Sequence, residues 1–396
     1  MTFNKITQAI IFCGGKGTRA GKVTDKTPKP LIIINNKPFL YHLIKKLENE
    51  GVKEVILLTG YLNIKFEKFI VKYNKEFKLD IKISYLDEKF ETYQRIKNIE
   101  DQLLDRFYIL YGDNYWDGNF SEHKSLLSKY DLVTTAYNTR FAERGNLNFL
   151  DKTKKIRFSE TRKKDFKYLD MGFMISNKKS MVEVFKKHNE NLKFSDIVFK
   201  ELIKNNKLGL HTSFVRHKSI GTPEGINSTR KYLKDKKFIF LDRDGVLNEK
   251  PKKADYVKQP EEFIWKSGSI EGLKYLTDKK YKIILISNQP GIARGKMSKD
   301  DLSKINKKII SDSISKKIKI YDMFYCLHNW DEQCFCRKPE PGLLIEAQDK
   351  YNIQLSNSYF IGDDERDIEA GKKVYTNTVK INRTNSLLDV LLKLEL

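Results

Sequence analysis

The stretch Phe238-Ile-Phe-Leu-Asp-Arg-Asp-Gly-Val246 decides how this 396-residue chain is read. Four apolar residues form a short buried strand, and the chain then enters Asp242-Arg243-Asp244-Gly245 at once. In an open α/β sheet, ligands bind outside the carboxyl ends of the strands. Two carboxylates at i and i+2 in that place have a definite use. Asp242 can attack phosphorus and carry an aspartyl-phosphate. Asp244 can protonate the leaving alkoxide and then deprotonate water. Gly245 supplies the sharp turn that lets both face one phosphate. By itself, Asp-x-Asp reads as a helix cap or a surface turn.

Three further elements remove that bland reading. The next apolar strand, 283–287, ends in Ser287-Asn288, whose hydroxyl and amide can bind phosphoryl oxygens. Lys338 follows and can neutralise the phosphate. The strand at 359–361 runs into Gly362-Asp363-Asp364. Asp363 together with Asp242 would hold Mg²⁺, a hard cation that prefers carboxylate and phosphate oxygens. An anionic nucleophile approaching an anionic phosphate needs such a metal. Three of the four cysteines crowd into Cys326-x-His328-x5-Cys334-x-Cys336. One imidazole and three thiolates make a closed tetrahedral set that suits Zn²⁺. With every position filled by protein, the zinc is structural and shapes the loop that carries Arg337 and Lys338. The fourth, Cys13, reads as buried packing, and nothing suggests a disulfide framework.

Residues 236–385 resemble the haloacid-dehalogenase-like phosphatases, and among them the D-glycero-D-manno-heptose 1,7-bisphosphate phosphatases and the related histidinol phosphatases. The matches are Phe-Leu-Asp-Arg-Asp-Gly-Val-Leu-Asn (240–248), Ser-Asn-Gln-Pro-Gly-Ile-Ala-Arg-Gly (287–295), Cys-Arg-Lys-Pro-Glu-Pro-Gly (336–342) and Ile-Gly-Asp-Asp-Glu-Arg-Asp-Ile-Glu-Ala-Gly (361–371). The resemblance implies Asp242 as nucleophile and Asp244 as acid/base. It puts Mg²⁺ on Asp242, the Asp244 carbonyl and Asp363, and turns Arg337 and Lys338 toward the substrate. Ser287 and Pro290 stand where that family usually has Thr and Ser; the hydroxyl at 287 is kept.

The first half opens with an apolar strand at 8–13 and the loop Gly14-Gly15-Lys16-Gly17-Thr18-Arg19. Glycines there let backbone N–H groups approach a triphosphate, and Lys16, Arg19 and Lys22 add positive charge. The loop is neither a Walker loop nor Gly-x-Gly-x-x-Gly. Lys29 stands between Pro28 and Pro30, where the flanking rings hold it rigidly. Asp113 ends a strand at 107–111 and is placed to hold Mg²⁺ on phosphates.

Over residues 6–233 these motifs resemble the sugar-phosphate nucleotidyltransferases. The heptose 1-phosphate and mannose 1-phosphate guanylyltransferases give the nearest pattern, through Thr-Pro-Lys-Pro-Leu (27–31), Lys-Pro-Phe-Leu (37–40) and Thr-Gly-Tyr-Leu (59–62). The resemblance implies that a sugar phosphate attacks the α-phosphorus of an NTP and pyrophosphate leaves. Arg19 would then stabilise the triphosphate and Lys29 the sugar phosphate or the transition state. Two departures stand out. The family's base-reading loop is here Glu91-Thr-Tyr-Gln-Arg-Ile-Lys97, whose end is similar to the glucose 1-phosphate cytidylyltransferases and makes CTP an alternative to GTP. The family's late metal-binding aspartate is here Ser219, in Ser-Ile-Gly-Thr-Pro (219–223). Asp170, in Leu-Asp-Met-Gly-Phe (169–173), can contact a sugar hydroxyl or cap the edge of the core.

The net charge is +23, from 75 Lys+Arg against 52 Asp+Glu. The lysines are scattered singly and in pairs over helix faces, so they read as a solvated surface that favours phosphorylated substrates; no nucleic-acid partner is expected. No apolar run reaches the roughly 18 residues of a membrane span, and residues 1–15 lack a signal-peptide pattern. The expectation is therefore a cytoplasmic protein with no membrane partner, its oligomeric state left open between monomer and homo-oligomer.

Strands and amphipathic helices alternate throughout, which predicts an α/β protein of two domains. The first, 1–235, is expected to be Rossmann-like with a mixed, mainly parallel sheet; the second, 236–396, to be a Rossmannoid phosphatase domain with a zinc loop. The functional expectation is a bifunctional enzyme of nucleotide-sugar biosynthesis that serves capsule or lipopolysaccharide assembly. One alternative is a CTP-dependent transferase for another sugar or polyol phosphate. Another is a nucleotidyltransferase domain that has lost catalysis and serves as a nucleotide-binding or assembly module.

Overall fold

The computed structural model describes residues 5–150, 155–252, 255–382 and 384–396. The chain divides into two compact units, Met1–Leu233 and Lys234–Leu396.

The first unit is built on a nine-stranded mixed sheet. Its parallel centre is Arg106–Tyr111, Gln8–Phe12, Glu54–Thr59 and Asp80–Tyr85, in that spatial order. Gln8–Phe12 is buried along its whole length, as a central parallel strand covered on both faces must be. Its carboxyl end releases the glycine loop, and the neighbouring strand Arg106–Tyr111 releases Asp113. Tyr168–Asn177 then runs antiparallel beside Arg106–Tyr111 and joins Leu132–Asn138 and the Gly145–Leu150/Lys155–Lys163 hairpin. The alternation of charge in Lys155–Lys163 hid this edge hairpin from pattern reading: only one of its nine residues is buried.

The helix expected near 99–104 lies earlier. Thr92–Lys97 is the helix, and only a 3-10 turn, Glu100–Gln102, follows. Tyr93, Arg95 and Ile96 are the buried residues of this short helix, which fills the stretch expected to be a base-reading loop. Thr222 caps Pro223–Tyr232, accepting a hydrogen bond from Gly225 N, as its cap-then-proline sequence predicts.

The second unit is a five-stranded parallel sheet in the spatial order Ile320–Cys326, Lys282–Asn288, Phe238–Leu241, Tyr359–Gly362, Asn377–Lys380. Phe238–Leu241 is the middle strand and buried throughout. Its two neighbours are the strands that end in Asn288 and Gly362. The carboxyl ends of three adjacent strands therefore open on the same edge of the sheet. Among the described residues no helix is long and apolar enough to cross a membrane.

Candidate active sites

In the second unit, Asp242, Asp244, Ser287, Asn288, Arg337, Lys338 and Asp363 line one cleft of about 1230 Å³. Gly245 makes the turn at φ +90°, and a Cβ there would meet Asp363 Oδ2 at 2.3 Å. That contact demands glycine and lets the first and third strand ends close on each other.

Lys338 is the hub of the cleft. It is 3% exposed, and its Nζ donates to Ile286 O at 2.9 Å and pairs with Asp242 Oδ1 at 2.9 Å and Asp367 Oδ1 at 2.6 Å. Asp242 Oδ1 also accepts from Arg243 N at 2.8 Å. Its other oxygen, Oδ2, takes no hydrogen bond among the described residues and is the one free to attack. Burial pushes the Asp242 carboxyl up; Lys338 pulls it back, and Asp367 and Asp244 raise it again.

Asp244 is gripped differently. It accepts from Arg243 Nη2 at 3.0 Å, Asn248 Nδ2 at 3.0 Å and Gln289 Nε2 at 2.7 Å. Burial alone would raise this carboxyl, but Arg243, Asn248 and Gln289 outweigh it and hold it below the usual carboxylate range. That is the charge state required to take a proton from water.

Two residues behave otherwise than the sequence suggests. The Asn288 side chain is not free for phosphate: Oδ1 accepts from Lys338 N and Nδ2 donates to Lys338 O, both at 3.1 Å. Its amide is the clamp that holds the Lys338 backbone. Asp367, not singled out from sequence, is 1% exposed and joins Asp242 and Asp363 as a possible metal-holding trio, with one carboxylate oxygen of each within 4.8 Å of the others. Asp367 also caps its own helix, Glu365–Lys372, by accepting from Asp364 N at 3.1 Å. The Gly-Asp-Asp-x-x-Asp spacing (362–367), which puts Asp367 one turn beyond Asp363, was the available signal. Lys250 Nζ lies 2.6 Å from Asp363 Oδ2. Three carboxylates gathered about bound ammonium groups are a fitting donor set for a hard divalent cation.

Cys326, His328, Cys334 and Cys336 converge, all four ligand atoms lying within 4.8 Å of one another. Sγ of Cys326 is 3.7 Å from His328 Nδ1 and 3.6 Å from Cys334 Sγ. Sγ of Cys336 is 3.1 Å from His328 Nδ1 and 3.5 Å from Cys334 Sγ. A tetrahedron with metal–sulfur bonds of about 2.3 Å has edges of about 3.7 Å, so the cage fits a thiophilic ion. Cys336 is two residues from Lys338, so the cage fixes the approach of that lysine.

In the first unit, Gly14, Gly15, Gly17, Thr18 and Arg19 follow the central strand, with Gly15, Thr18 and Arg19 exposed. Lys29 is 8% exposed, on a 3-10 turn, Lys29–Leu31. Its Nζ reaches Asp113 Oδ2 at 3.3 Å. Gly17, at φ +70°, lies against its stem: a Cβ there would meet Lys29 Cε at 2.5 Å. Ser219 pairs with Asn114 in a short ladder, and Ile220 N donates to Asp113 O at 3.1 Å. The loops bearing Lys29, Asp113 and Ser219 thus meet beside the glycine loop. Among the described residues no cluster of three His, Cys, Asp or Glu side chains forms around Asp113. Asp170 accepts from Thr134 Oγ1 at 2.7 Å and from Gly172 N at 3.3 Å, an edge-capping arrangement; burial raises its carboxyl.

From sequence, Arg95 belongs to the Glu91–Lys97 stretch that stands in place of a base-reading loop. It is 3% exposed, with Nη1 donating to Thr59 O at 2.5 Å and Leu86 O at 2.8 Å, and Nη2 to Asp87 O at 2.9 Å. A Cβ at Gly14 would lie 2.5 Å from its Cζ, and one at Gly60 2.6 Å from its Nη2. Arg95 therefore supports the glycine loop from below and ties it to the ends of two neighbouring strands.

Residues 8–235 match the model of the nucleotidyl transferase family, and residues 237–385 that of the polynucleotide kinase 3 phosphatase family. A D-glycero-alpha-D-manno-heptose-1,7-bisphosphate 7-phosphatase of Photorhabdus laumondii is 40% identical over 144 residues, covering 35% of this chain and 77% of the relative. A D-glycero-beta-D-manno-heptose-1,7-bisphosphate 7-phosphatase of Helicobacter pylori is 37% identical over 149 residues, covering 37% of this chain and 84% of the relative. A crystal structure named for a glucose-1-phosphate thymidylyltransferase of Bacillus anthracis has a TM-score of 0.51 at 18% identity, covering 58% of this chain and 96% of the other; it bears on the fold alone. The chain thus belongs to two enzyme families at once, the nucleotidyl transferases through residues 8–235 and the heptose-bisphosphate 7-phosphatases through residues 237–385.

Proposed function

We propose that the second unit removes the 7-phosphate of a heptose 1,7-bisphosphate and that the first joins the remaining 1-phosphate to an NMP. The observation that carries the phosphatase half is the convergence of Asp242, Asp363 and Asp367 on one another, with Lys338 paired to Asp242 and Asp367 and with Asp244 in the same cleft. Oδ2 of Asp242 attacks phosphorus, the bond from phosphorus to the sugar oxygen breaks, and that oxygen leaves with a proton that Asp244, ionised in the free enzyme, has taken up from solvent as the substrate binds. Asp244 then takes a proton from water as the water attacks the aspartyl-phosphate, releasing inorganic phosphate and free Asp242. Lys338, Ser287 and Arg337 face the phosphoryl oxygens. Asp242, Asp363 and the Asp244 carbonyl would hold Mg²⁺, with Asp367 close by; bound there it neutralises the approaching negative charges. The Cys₃His cage suits Zn²⁺, whose contribution is to fold the loop before Arg337.

In the first unit a phosphate oxygen of the sugar 1-phosphate attacks the α-phosphorus of the NTP and pyrophosphate leaves. Lys29 and Arg19 stabilise the charge that develops. With Ser219 in place of a second carboxylate, Asp113 would hold Mg²⁺ together with oxygens of the nucleotide. GTP is the favoured substrate and CTP the alternative. A heptose nucleotide product suits capsule or lipopolysaccharide assembly, which places the enzyme in the cytoplasm.

Incubating the full chain with Mg²⁺, each NTP and a panel of mono- and bisphosphorylated sugars, then reading products by mass, tests both halves. A nucleotide-heptose formed from the bisphosphate is expected. Phosphate release without pyrophosphate release from any pair, together with NTP binding, favours a catalytically silent first unit; Ser219 is the residue that motivates that second reading.

A further inference from the structure

Between Asp244 and Ser287 lies a buried amide that the chemistry above does not use. Gln289 is 1% exposed and lines the same cleft. Its backbone N donates to Cys326 O at 2.7 Å, which ties it to the neighbouring strand Ile320–Cys326. Its side chain is held on both ends. Oε1 accepts from Arg243 Nη2 at 3.0 Å, and Nε2 donates to Asp244 Oδ2 at 2.7 Å and to Ser287 Oγ at 3.0 Å.

The chemistry of these partners admits one orientation of the amide. A guanidinium only donates, so it faces Oε1; an ionised carboxylate only accepts, so it faces the NH₂. A flipped amide would set donor against donor and acceptor against acceptor. The second N–H then falls on Ser287, whose oxygen is the acceptor in that contact. The Ser287 hydroxyl proton is thereby turned away from Gln289, and among the described residues it is donated to no protein acceptor. Serine lacks the β-branch that stiffens χ1, so hydrogen bonds are what hold this hydroxyl in one rotamer.

We propose that Gln289 is a positioning residue that couples the acid/base to the phosphate cradle: one N–H fixes the Asp244 carboxylate, and the other leaves the Ser287 hydroxyl with its proton free for a phosphoryl oxygen. Arg243, fully buried, holds the amide from behind. Gln289 acts through Asp244 and Ser287 and does not touch the substrate. The proposal rests on the phosphatase reading and adds the residue that keeps its two working groups in one orientation. Loss of the amide is felt most where the leaving oxygen depends on a proton.

The test is steady-state kinetics of the full chain with Mg²⁺ on two substrates. Heptose 1,7-bisphosphate releases a sugar alkoxide that requires a proton; p-nitrophenyl phosphate releases a phenolate that leaves without one. For both, kcat/KM reports the steps up to the aspartyl-phosphate. Gln289→Met keeps the length of the side chain and deletes its hydrogen bonds. It is expected to lower kcat/KM about 10²-fold for the bisphosphate and only about threefold for p-nitrophenyl phosphate. Ser287→Ala leaves the contact between Gln289 and Asp244 in place and is expected to lower both about equally, by about three- to tenfold. An equal fall on both substrates in Gln289→Met would make the residue merely structural and overturn the proposal. So would a fall below about threefold on the bisphosphate, or a Ser287→Ala variant impaired on the bisphosphate alone. Amide exchange on Phe238–Leu241 checks that the fold is kept; if it is lost, Gln289→Glu, equal in size and still an acceptor for Arg243, is read in the same way. If the unaltered protein releases phosphate from neither substrate, the phosphatase reading itself fails and the coupling with it.

Discussion

Replacing Lys338 with Met keeps the length of the side chain and deletes its charge. Lys338 is buried with two carboxylates, Asp242 and Asp367, that are 8% and 1% exposed. Losing one partner of a buried ion pair costs about 3–5 kcal/mol, because the other charge is left uncompensated. Here two carboxylates lose the same partner, so the cost should not fall below that range in the absence of a divalent metal. At about 1.4 kcal/mol per decade, this is about 10²- to 10⁴-fold in the opening equilibrium. Amide hydrogen exchange, with chelator present and read on the strands Phe238–Leu241 and Tyr359–Gly362, measures it directly. Exchange there should accelerate by that factor in Lys338→Met. The double variant Lys338→Met/Asp367→Asn removes one stranded charge and should regain at least half of the loss on a logarithmic scale. Exchange within threefold of the unaltered protein, or a double variant no better than the single, would refute the view that Lys338 is the electrostatic keystone of the cleft.

Stripping the Cys₃His cage with a thiophilic chelator should speed exchange in residues 327–338 far more than in the central strand Phe238–Leu241, with phosphatase activity falling in step; equal protection before and after would exclude a structural metal. Arg95→Ala should weaken NTP binding at least tenfold without abolishing the fold, because three strand-end carbonyls lose their donor; calorimetric titration checks this. His123, buried against Thr135 and His211, is pushed down to about 3 by burial and by its histidine neighbour. Its folded value lies below the unfolded value of 6.5, so the unfolded chain gains the extra proton as pH falls. Stability is then lost from about pH 6.5 downward, by up to about 1.4 kcal/mol per pH unit. His123→Gln should show a shallower acid loss than the unaltered protein in exchange of the strand Leu132–Asn138; identical slopes would contradict the assignment.

Much of this was legible in the sequence because the chemistry sits at strand ends. Asp242, Ser287 and Asp363 each follow an apolar run at once, and the fold brings those ends together. The zinc-type cage was legible because four ligands lie within eleven residues of chain. Partnership was harder to read. Nothing local in Asn288 says that its amide holds Lys338, fifty residues away. Arg95 meets Gly14 and Gly60 only after the sheet has formed. Asp367 looks like an ordinary helix cap, and it is one; its second oxygen supplies the contact to Lys338. The edge hairpin of the first unit escaped because Lys155–Lys163 faces solvent along most of its length and carries little apolar alternation.

The most direct test of the central claim is to quench the enzyme in acid during turnover of a sugar bisphosphate and map the phosphoryl adduct by peptide mass. The prediction is a hydroxylamine-labile phosphate on Asp242, absent from Asp242→Asn, which should also lose nearly all turnover. Turnover in Asp242→Asn above about a tenth of the original rate, or an adduct on a different residue, would contradict the account.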